Sequence, residues 1–305
     1  MTQHLTHEND FAAVDIGGTN VRFALFNSEG KIKQKYKTQT NSLSAEITMD
    51  WIVQLVNDHH VKFLALCIPG PSDYENGIVH KSPNLGGSWE NFDVKSYLLA
   101  KTKLLDIVFE NDANVMAYAN HVYYNCLDHE ISQFFTISTG FGAGLVINNQ
   151  IYHGNKYFAQ EIAQLPVASK KFPGEYKLKS PYALELHCSG SGLATKAQYY
   201  NLAADAKTIF ELAKQNSSEA KLLVDEATDA LSKTFAITAA LIAPNNYFIG
   251  GSIGLAEQDM VLAAFEKAKT ISDFNHFHNV TLRFDKLGDD SALYGLYYLI
   301  KARQN

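Results

Sequence analysis

Residues 11–26 read FAAVDIGGTNVRFALF. An apolar run carries Asp15 near its end, turns through Gly17 and Gly18, and resumes at Val21 as a second, loosely alternating run. NSEG then marks a turn and KIKQKYKTQT a third strand, so the chain opens as a three-stranded meander with glycine between its first two strands. That placement decides between nucleotide folds. A dinucleotide fold sets its glycines between a strand and a helix, whose N-terminus holds the pyrophosphate. Here they lie between two strands. No GxxxxGK[ST] loop and no protein-kinase signature set occurs. Near the middle, FFTISTGFGAGLVINNQIYHG again reads strand, glycine turn, strand, turn, strand. Two such hairpins in two halves imply a duplicated domain whose tight turns bring backbone N–H groups close to the phosphates of a nucleoside triphosphate.

Between the hairpins the pattern predicts a helix around SAEITMDWIVQLVNDHH, a buried strand KFLALCIPG, a helix at KSYLLAKTK and a strand LDIVFE. That strand runs into Glu110-Asn111-Asp112, and small and apolar residues then follow at helical spacing from Ala113. A carboxylate therefore stands where a strand becomes a helix. Asp112 reads in two compatible ways: as a helix N-cap, or as a base that accepts a proton from a bound hydroxyl, kept ionised by the helix N-terminus behind it. Beyond the second hairpin come helices at LATKAQYYN, DAKTIFELAKQ and AKLLVDEATDALSKTFAITAALIA, a strand NNYFIGG and a final helix SALYGLYYLIKA.

Composition narrows the class. The chain has 305 residues, 46% hydrophobic and 19% charged, which is the make-up of a globular protein large enough for two lobes. A net charge of −6 argues against a nucleic-acid surface. Cys67, Cys126 and Cys188 are scattered and form no CxxC pair, so a reducing compartment without disulfides is expected. The polar opening MTQHLTHEND lacks a signal-peptide core, and no apolar run approaches the roughly 20 residues of a membrane span. The expected location is the cytoplasm.

AVDIGGTNVRFALF, CIPGPSDYENGIVHKSPNLGGSW, FENDANVMAYA, STGFGAGLVINNQIYHG and IGGSIG, in that order and spread over nearly the whole chain, resemble the ROK family of bacterial sugar kinases and related repressors. The resemblance implies an α/β, two-lobed actin-like (ribonuclease H-like) ATPase fold, with duplicated mixed-sheet domains and a cleft where ATP and a hexose meet. The lobes would be residues 1–112, completed by a C-terminal helix at 290–305, and residues 113–289. In the family's pattern Asp112 is the general base. Asp15 would lie near Mg2+ and the phosphates, although a turn-forming aspartate reads the same way. Gly17, Gly18 and Thr19 would line one phosphate loop and Thr139, Gly140, Gly142 and Gly144 the opposing one. Gly250 and Gly251 resemble adenosine-contacting glycines, and equally a plain strand-to-helix turn. Asn84, Asn111, Glu161 and Glu185 match sugar ligands, with Gly70 and Gly87 as turns near the sugar, while Glu185 also reads as an ordinary helix-surface residue. Such polar side chains suit a polyol.

One departure bears on the substrate. Where family members read GEIGH, this chain has Gln160-Glu161-Ile162-Ala163-Gln164, and the cysteine segment that completes a structural zinc site is missing. Tetrahedral zinc needs four ligands. His187 and Cys188 supply two at best, so no structural zinc is expected, and His187 reads as a helix-surface histidine. Gln164 could hydrogen-bond a sugar hydroxyl in place of the family histidine. About ten residues precede the first strand, too few for a helix-turn-helix. The expected activity is ATP-dependent transfer to the 6-hydroxyl of a hexose or N-acetylhexosamine, with glucose and N-acetylmannosamine leading and a homodimer as the family's habit. The competing reading is a non-catalytic sugar sensor.

Overall fold

A computed structural model of the protein describes residues 11–82 and 85–304. The chain forms two compact units, residues 1–125 with 153–157 and 289–305, and residues 126–152 with 158–288. In the first unit β1 (Phe11–Ile16), β2 (Asn20–Phe26) and β3 (Ile32–Gln39) form the meander, followed by α1 (Ala45–Asp58) and β4 (Phe63–Cys67). The short strands β5 (Ser72–Asp73), β6 (Ile78–Val79) and β7 (Phe92–Asp93) make a small sheet before α2 (Val94–Lys101), β8 (Asp106–Glu110) and α3 (Asp112–Tyr123). The main sheet has the order β3-β2-β1-β4-β8, antiparallel across the meander and parallel from β1 through β4 to β8.

Alternation splits this sheet between two cores. Val14, Phe23 and Leu66 face one way, with Met49 and Ile52 of α1 in the same apolar cluster. Ala13, Ala24 and Ala65 face the other way, toward Val115 of α3 and the C-terminal helix, Ser291–Ala302. Alanines on that face and Gly295 in the helix let backbones approach closely: a Cβ at Gly295 would stand 2.0 Å from the Val115 carbonyl oxygen. This packing draws α3 into the first unit, so the division expected at Asp112 falls instead after Asn125.

The second unit repeats the scheme. Its strands β9 (Ser132–Ile137), β10 (Phe141–Ile147), β11 (Gln150–Ile151), β12 (Asn246–Gly250) and β13 (Thr281–Phe284) have the order β11-β10-β9-β12-β13, the same arrangement as the first sheet. Five helices, α4 (Leu184–Cys188), α5 (Gly190–Tyr199), α6 (Ala206–Lys214), α7 (Ser218–Ile242) and α8 (Ser252–Ala256), precede α9 (Gln258–Ile271). Phe135, Phe235, Tyr247 and Phe265 centre its core. The expected helices and strands occur, but α9 and β13 were not anticipated. Their apolar positions are separated by charged residues in EQDMVLAAFEKAKT and by histidines before TLRF, which masks the period.

Replacing Gly295 by alanine should force the C-terminal helix off Val115. Overpacking of this kind costs about 1–3 kcal/mol, and urea unfolding of Gly295→Ala checks it. An unchanged midpoint would mean the two backbones are not in close contact.

Candidate active site

Two carboxylates and the cysteine between them line up across the first sheet. Asp15 of β1 pairs in register with Cys67 of β4, and Cys67 with Glu110 of β8, so all three stand at the carboxyl ends of parallel strands. Such ends are where open α/β sheets place ligands. The buried Cys67 thiol is pushed well up, by burial first and then by Asp15, Asp112 and Glu110, which shows how closely the carboxylates converge.

Asn111, not Asp112, caps α3: its Oδ1 accepts from Ala113 N at 2.9 Å and Asn114 N at 3.3 Å. Asp112 is the first helical residue, its Oδ1 accepting from Ala113 N at 2.8 Å. The carboxylate reaches solvent, yet protein crowds closely around it. That crowding, and then the like charge of Asp15, push its pKa above the ordinary carboxylate value and outweigh the backbone N–H groups of the helix start. Asp15 lies opposite Arg22 on β2, and its Oδ2 accepts from Arg22 Nε at 3.1 Å and from Nη2.

The turn between β1 and β2 is braced from β3. Gly17 N donates to Asn20 O at 3.0 Å, Thr40 Oγ1 to Gly17 O at 2.6 Å and Thr40 N to Thr19 O at 2.9 Å, while Gly18 and Thr19 stay exposed. Tyr74 fills the space beside Gly70, where a Cβ would lie 2.7 Å from its hydroxyl, and that hydroxyl also stands beside the Asn111 side chain. Gly87 is required for backbone reasons: its φ is +57° and a Cβ would meet Leu43 O at 2.0 Å. Asn84 lies outside the described residues.

In the second unit the turn is Ser138–Gly140, closed by Ser138 N to Gly140 O at 3.0 Å, with Thr139 exposed. Gly142 and Gly144, expected in this loop, lie instead within β10, paired with Thr136 and Phe134 of β9. Their glycines extend the strand rather than the turn. Gly190 N and Ser191 N at the start of α5 donate to Ser138 O and Thr139 O, at 2.8 and 2.9 Å. Gly250 and Gly251 form a strand-to-helix turn, Gly251 at φ +82°, and Ser252 Oγ reaches Ser138 Oγ at 3.1 Å. One end of the second unit thus gathers Thr139, Gly140, Gly250 and Gly251.

Glu185 is buried, not on a helix surface. Its Oε2 accepts from Phe141 N at 3.1 Å, just after the turn, and its Oε1 receives Tyr176 Oη and Lys177 Nζ, each at 2.9 Å. Glu161 and Gln164 flank a short 3-10 turn and are exposed. Before them Gln160, at φ +67°, accepts from the buried Gln133 Nε2 at 2.8 Å.

His187 is likewise buried. Its Nδ1 accepts from Lys196 Nζ and its Nε2 donates to Pro181 O, each at 3.1 Å, while Lys196 Nζ also binds Glu226. Burial, and then Lys196, lower its pKa, so it stays neutral. Cys188 Sγ donates to Ala227 O at 3.0 Å.

Sequence reasoning passed over a network behind Asn111 and Asp112. Glu110 is buried, with Oε1 accepting from Asn111 N and Asn114 Nδ2, each at 2.9 Å, and Oε2 bound to His153 Nε2 at 2.5 Å. The available signal was a glutamate ending an apolar strand, whose burial demands partners.

The profile of the ROK family matches residues 11–303. The chain belongs to the ROK family. A glucokinase of Halalkalibacterium halodurans is 25% identical, covering 97% of this chain and 96% of its own. An N-acetylmannosamine kinase of Haemophilus influenzae is 26% identical, covering 95% and 94%. A ROK family glucokinase from Streptomyces griseus, solved in complex with glucose and AMPPNP, superposes with a TM-score of 0.71 at 23% identity over 97% of this chain and 99% of its own. The ROK chain described here therefore has the α/β, mixed-sheet fold of the actin-like ATPases. Among its described residues no helix is long and apolar enough to cross a membrane.

Removing the Glu185 carboxylate should strand the buried Phe141 N–H, while the Tyr176 hydroxyl keeps Ser191 Oγ at 2.7 Å. Leaving a buried donor unpaired costs about 1–3 kcal/mol, so Glu185→Ala should be clearly destabilised in urea. A change within about 0.5 kcal/mol is what an ordinary surface position gives and would contradict this placement.

Proposed function

We propose that this ROK protein is an ATP-dependent kinase that phosphorylates the 6-hydroxyl of a hexose or N-acetylhexosamine. The observation that carries the reading is the convergence of Asp112 and Asp15 at the carboxyl ends of the parallel strands. Relatives named glucokinase and N-acetylmannosamine kinase support it and make glucose and N-acetylmannosamine the leading substrates.

In this reading Asp112 accepts the proton of the 6-hydroxyl as that oxygen bonds to the γ-phosphorus and the bond to the β-phosphate oxygen breaks, releasing ADP. A sugar hydroxyl is a weak nucleophile, and phosphoryl transfer depends mainly on positioning and charge neutralisation. A raised carboxylate pKa makes Asp112 a better proton acceptor. The exposed Gly18, Thr19 and Thr139 offer backbone N–H groups to phosphates, and Gly250 and Gly251, whose missing side chains make way for Phe134 and Ile137, remain candidates for adenosine contacts through their backbone. Asn111, Glu161 and Gln164 remain candidates for sugar hydroxyls, as does Asn84, whereas Glu185 acts through the Thr139–Gly140 turn it braces. Magnesium retains most of its waters and takes one or two carboxylates beside phosphate oxygens. Asp15, with Asp112 nearby, fits that need, and the ion would neutralise phosphate charge.

A structural zinc does not fit. The stretch between Gln164 and Glu185 is held by Phe172, Ala183, Tyr176 and Leu178 packed with Leu186, an apolar cluster without a thiolate, and both His187 nitrogens are engaged. A zinc-selective chelator followed by added Mg2+ should leave melting temperature and turnover unchanged. Loss of either would overturn this assignment.

A coupled assay over hexoses and N-acetylhexosamines, on wild type and Asp112→Asn, tests the kinase reading. Removing a general base costs on the order of 10²–10⁴ in rate, with sugar affinity little changed. The variant should fold at least as well. A carboxyl whose pKa rises on folding favours the protonated native state, so its stability contribution is lost as pH rises through the folded pKa. Above that folded pKa the ionised Asp112 is therefore destabilising, and Asn relieves it. In wild type, kcat should fall as pH drops through a pKa above the usual carboxylate range. Near-normal kcat in a folded Asp112→Asn enzyme would remove Asp112 from the chemistry, and a sugar-binding protein without any sugar-dependent ADP release would favour the sensor.

A further inference from the structure

The segment His153–Tyr157 leaves β11 and packs with the first unit, although the residues on either side of it belong to the second. It docks through a short hydrogen bond, His153 Nε2 on Glu110 Oε2, and through tilted ring contacts. His153 lies 4.4 Å from Tyr157, ring centre to ring centre, and Tyr157 lies 5.4 Å from Tyr74. The Tyr74 hydroxyl stands beside the Asn111 side chain. The other oxygen of Glu110 holds Asn111 N and Asn114 Nδ2. Asn111 is thus held at its backbone N–H by Glu110 and flanked by Tyr74, and both groups lead back to His153. The segment is also conformationally unusual: Lys156 and Tyr157 have φ of 52° and 61°, a region costly for residues with side chains and kept only where the surroundings enforce it. Four residues after Tyr157 comes Glu161.

We infer that Glu110 and His153 form a positioning pair that fixes Asn111 and Asp112 against the acceptor sugar and anchors the loop leading to Glu161. The inference rests on the kinase reading and deepens it. Neither residue touches the reacting atoms. Their bond sets where the base and its neighbour stand, and small misplacements of that kind cost rate steeply even when every catalytic group is present.

Kinetics with sugar and with ATP varied separately test this. His153→Phe keeps a ring against Tyr157 and deletes the bond to Glu110. It should lower kcat/KM for the sugar by about 10- to 100-fold, through both KM and kcat, with KM for ATP unchanged. His153→Gln, whose amide can donate to Glu110, should recover most of that loss. If His153→Phe does not fold, Tyr74→Phe, which removes only the hydroxyl beside Asn111, should raise the sugar KM in the same selective way. A folded His153→Phe enzyme with a lower melting temperature but wild-type sugar KM and kcat would make the pair merely structural and overturn the inference. Asp112→Asn, assayed alongside, separates the two claims. If it is inactive while His153→Phe is normal, only the positioning role fails. If it is fully active, the kinase reading and the inference fall together.

Discussion

The Asp112 carboxylate, set beside Asp15 where β8 gives way to α3, is the constraint around which the first unit is arranged. Protein crowding first, and then the like charge of Asp15, raise its pKa above the ordinary carboxylate value. The sheet surrounds it with fixed partners. Arg22, directly across the strand pair, neutralises Asp15. Asn111 takes over helix capping, which leaves Asp112 only one bond to the chain's own backbone among the described contacts of its side chain. Glu110 turns inward to hold the first turn of α3. Neighbouring side chains thus fix the backbone around a carboxylate that is itself left largely unbound.

The second unit uses the same strand order for a different end. Its turn carries no carboxylate of its own. Instead the buried Glu185 reaches it from α4, binding Phe141 N where only glycine at 140 leaves room, since a Cβ there would lie 3.0 Å from Oε2. Duplication supplied two similar scaffolds, and a few side chains at the strand ends gave them separate tasks.

Much of this was legible in the sequence because it is written in local patterns. The meander, the repeat and the strand-to-helix step at Asp112 follow from hydrophobic period and glycine position, which depend only on neighbouring residues. What stayed hidden depends on partners distant in the chain. Asn111 takes the cap because the backbone enters the helix one residue earlier than the apolar spacing implies. Gly142 and Gly144 look like loop residues until β9 is seen to pair with them. His187 passes for a surface residue unless Lys196 and Pro181 are brought to it. The Glu110–His153 bond spans 43 residues, and no period records it.

The central claim is that the carboxylate at residue 112 directs phosphate onto a sugar's primary hydroxyl. Phosphorus and proton NMR of the mixture formed from wild-type protein, MgATP and glucose or N-acetylmannosamine tests it most directly. The account predicts a new phosphomonoester coupled to the two C6 protons, formed one for one with ADP and absent with Asp112→Asn. A phosphate on another carbon, or ADP formed at the same rate with and without sugar, would contradict it.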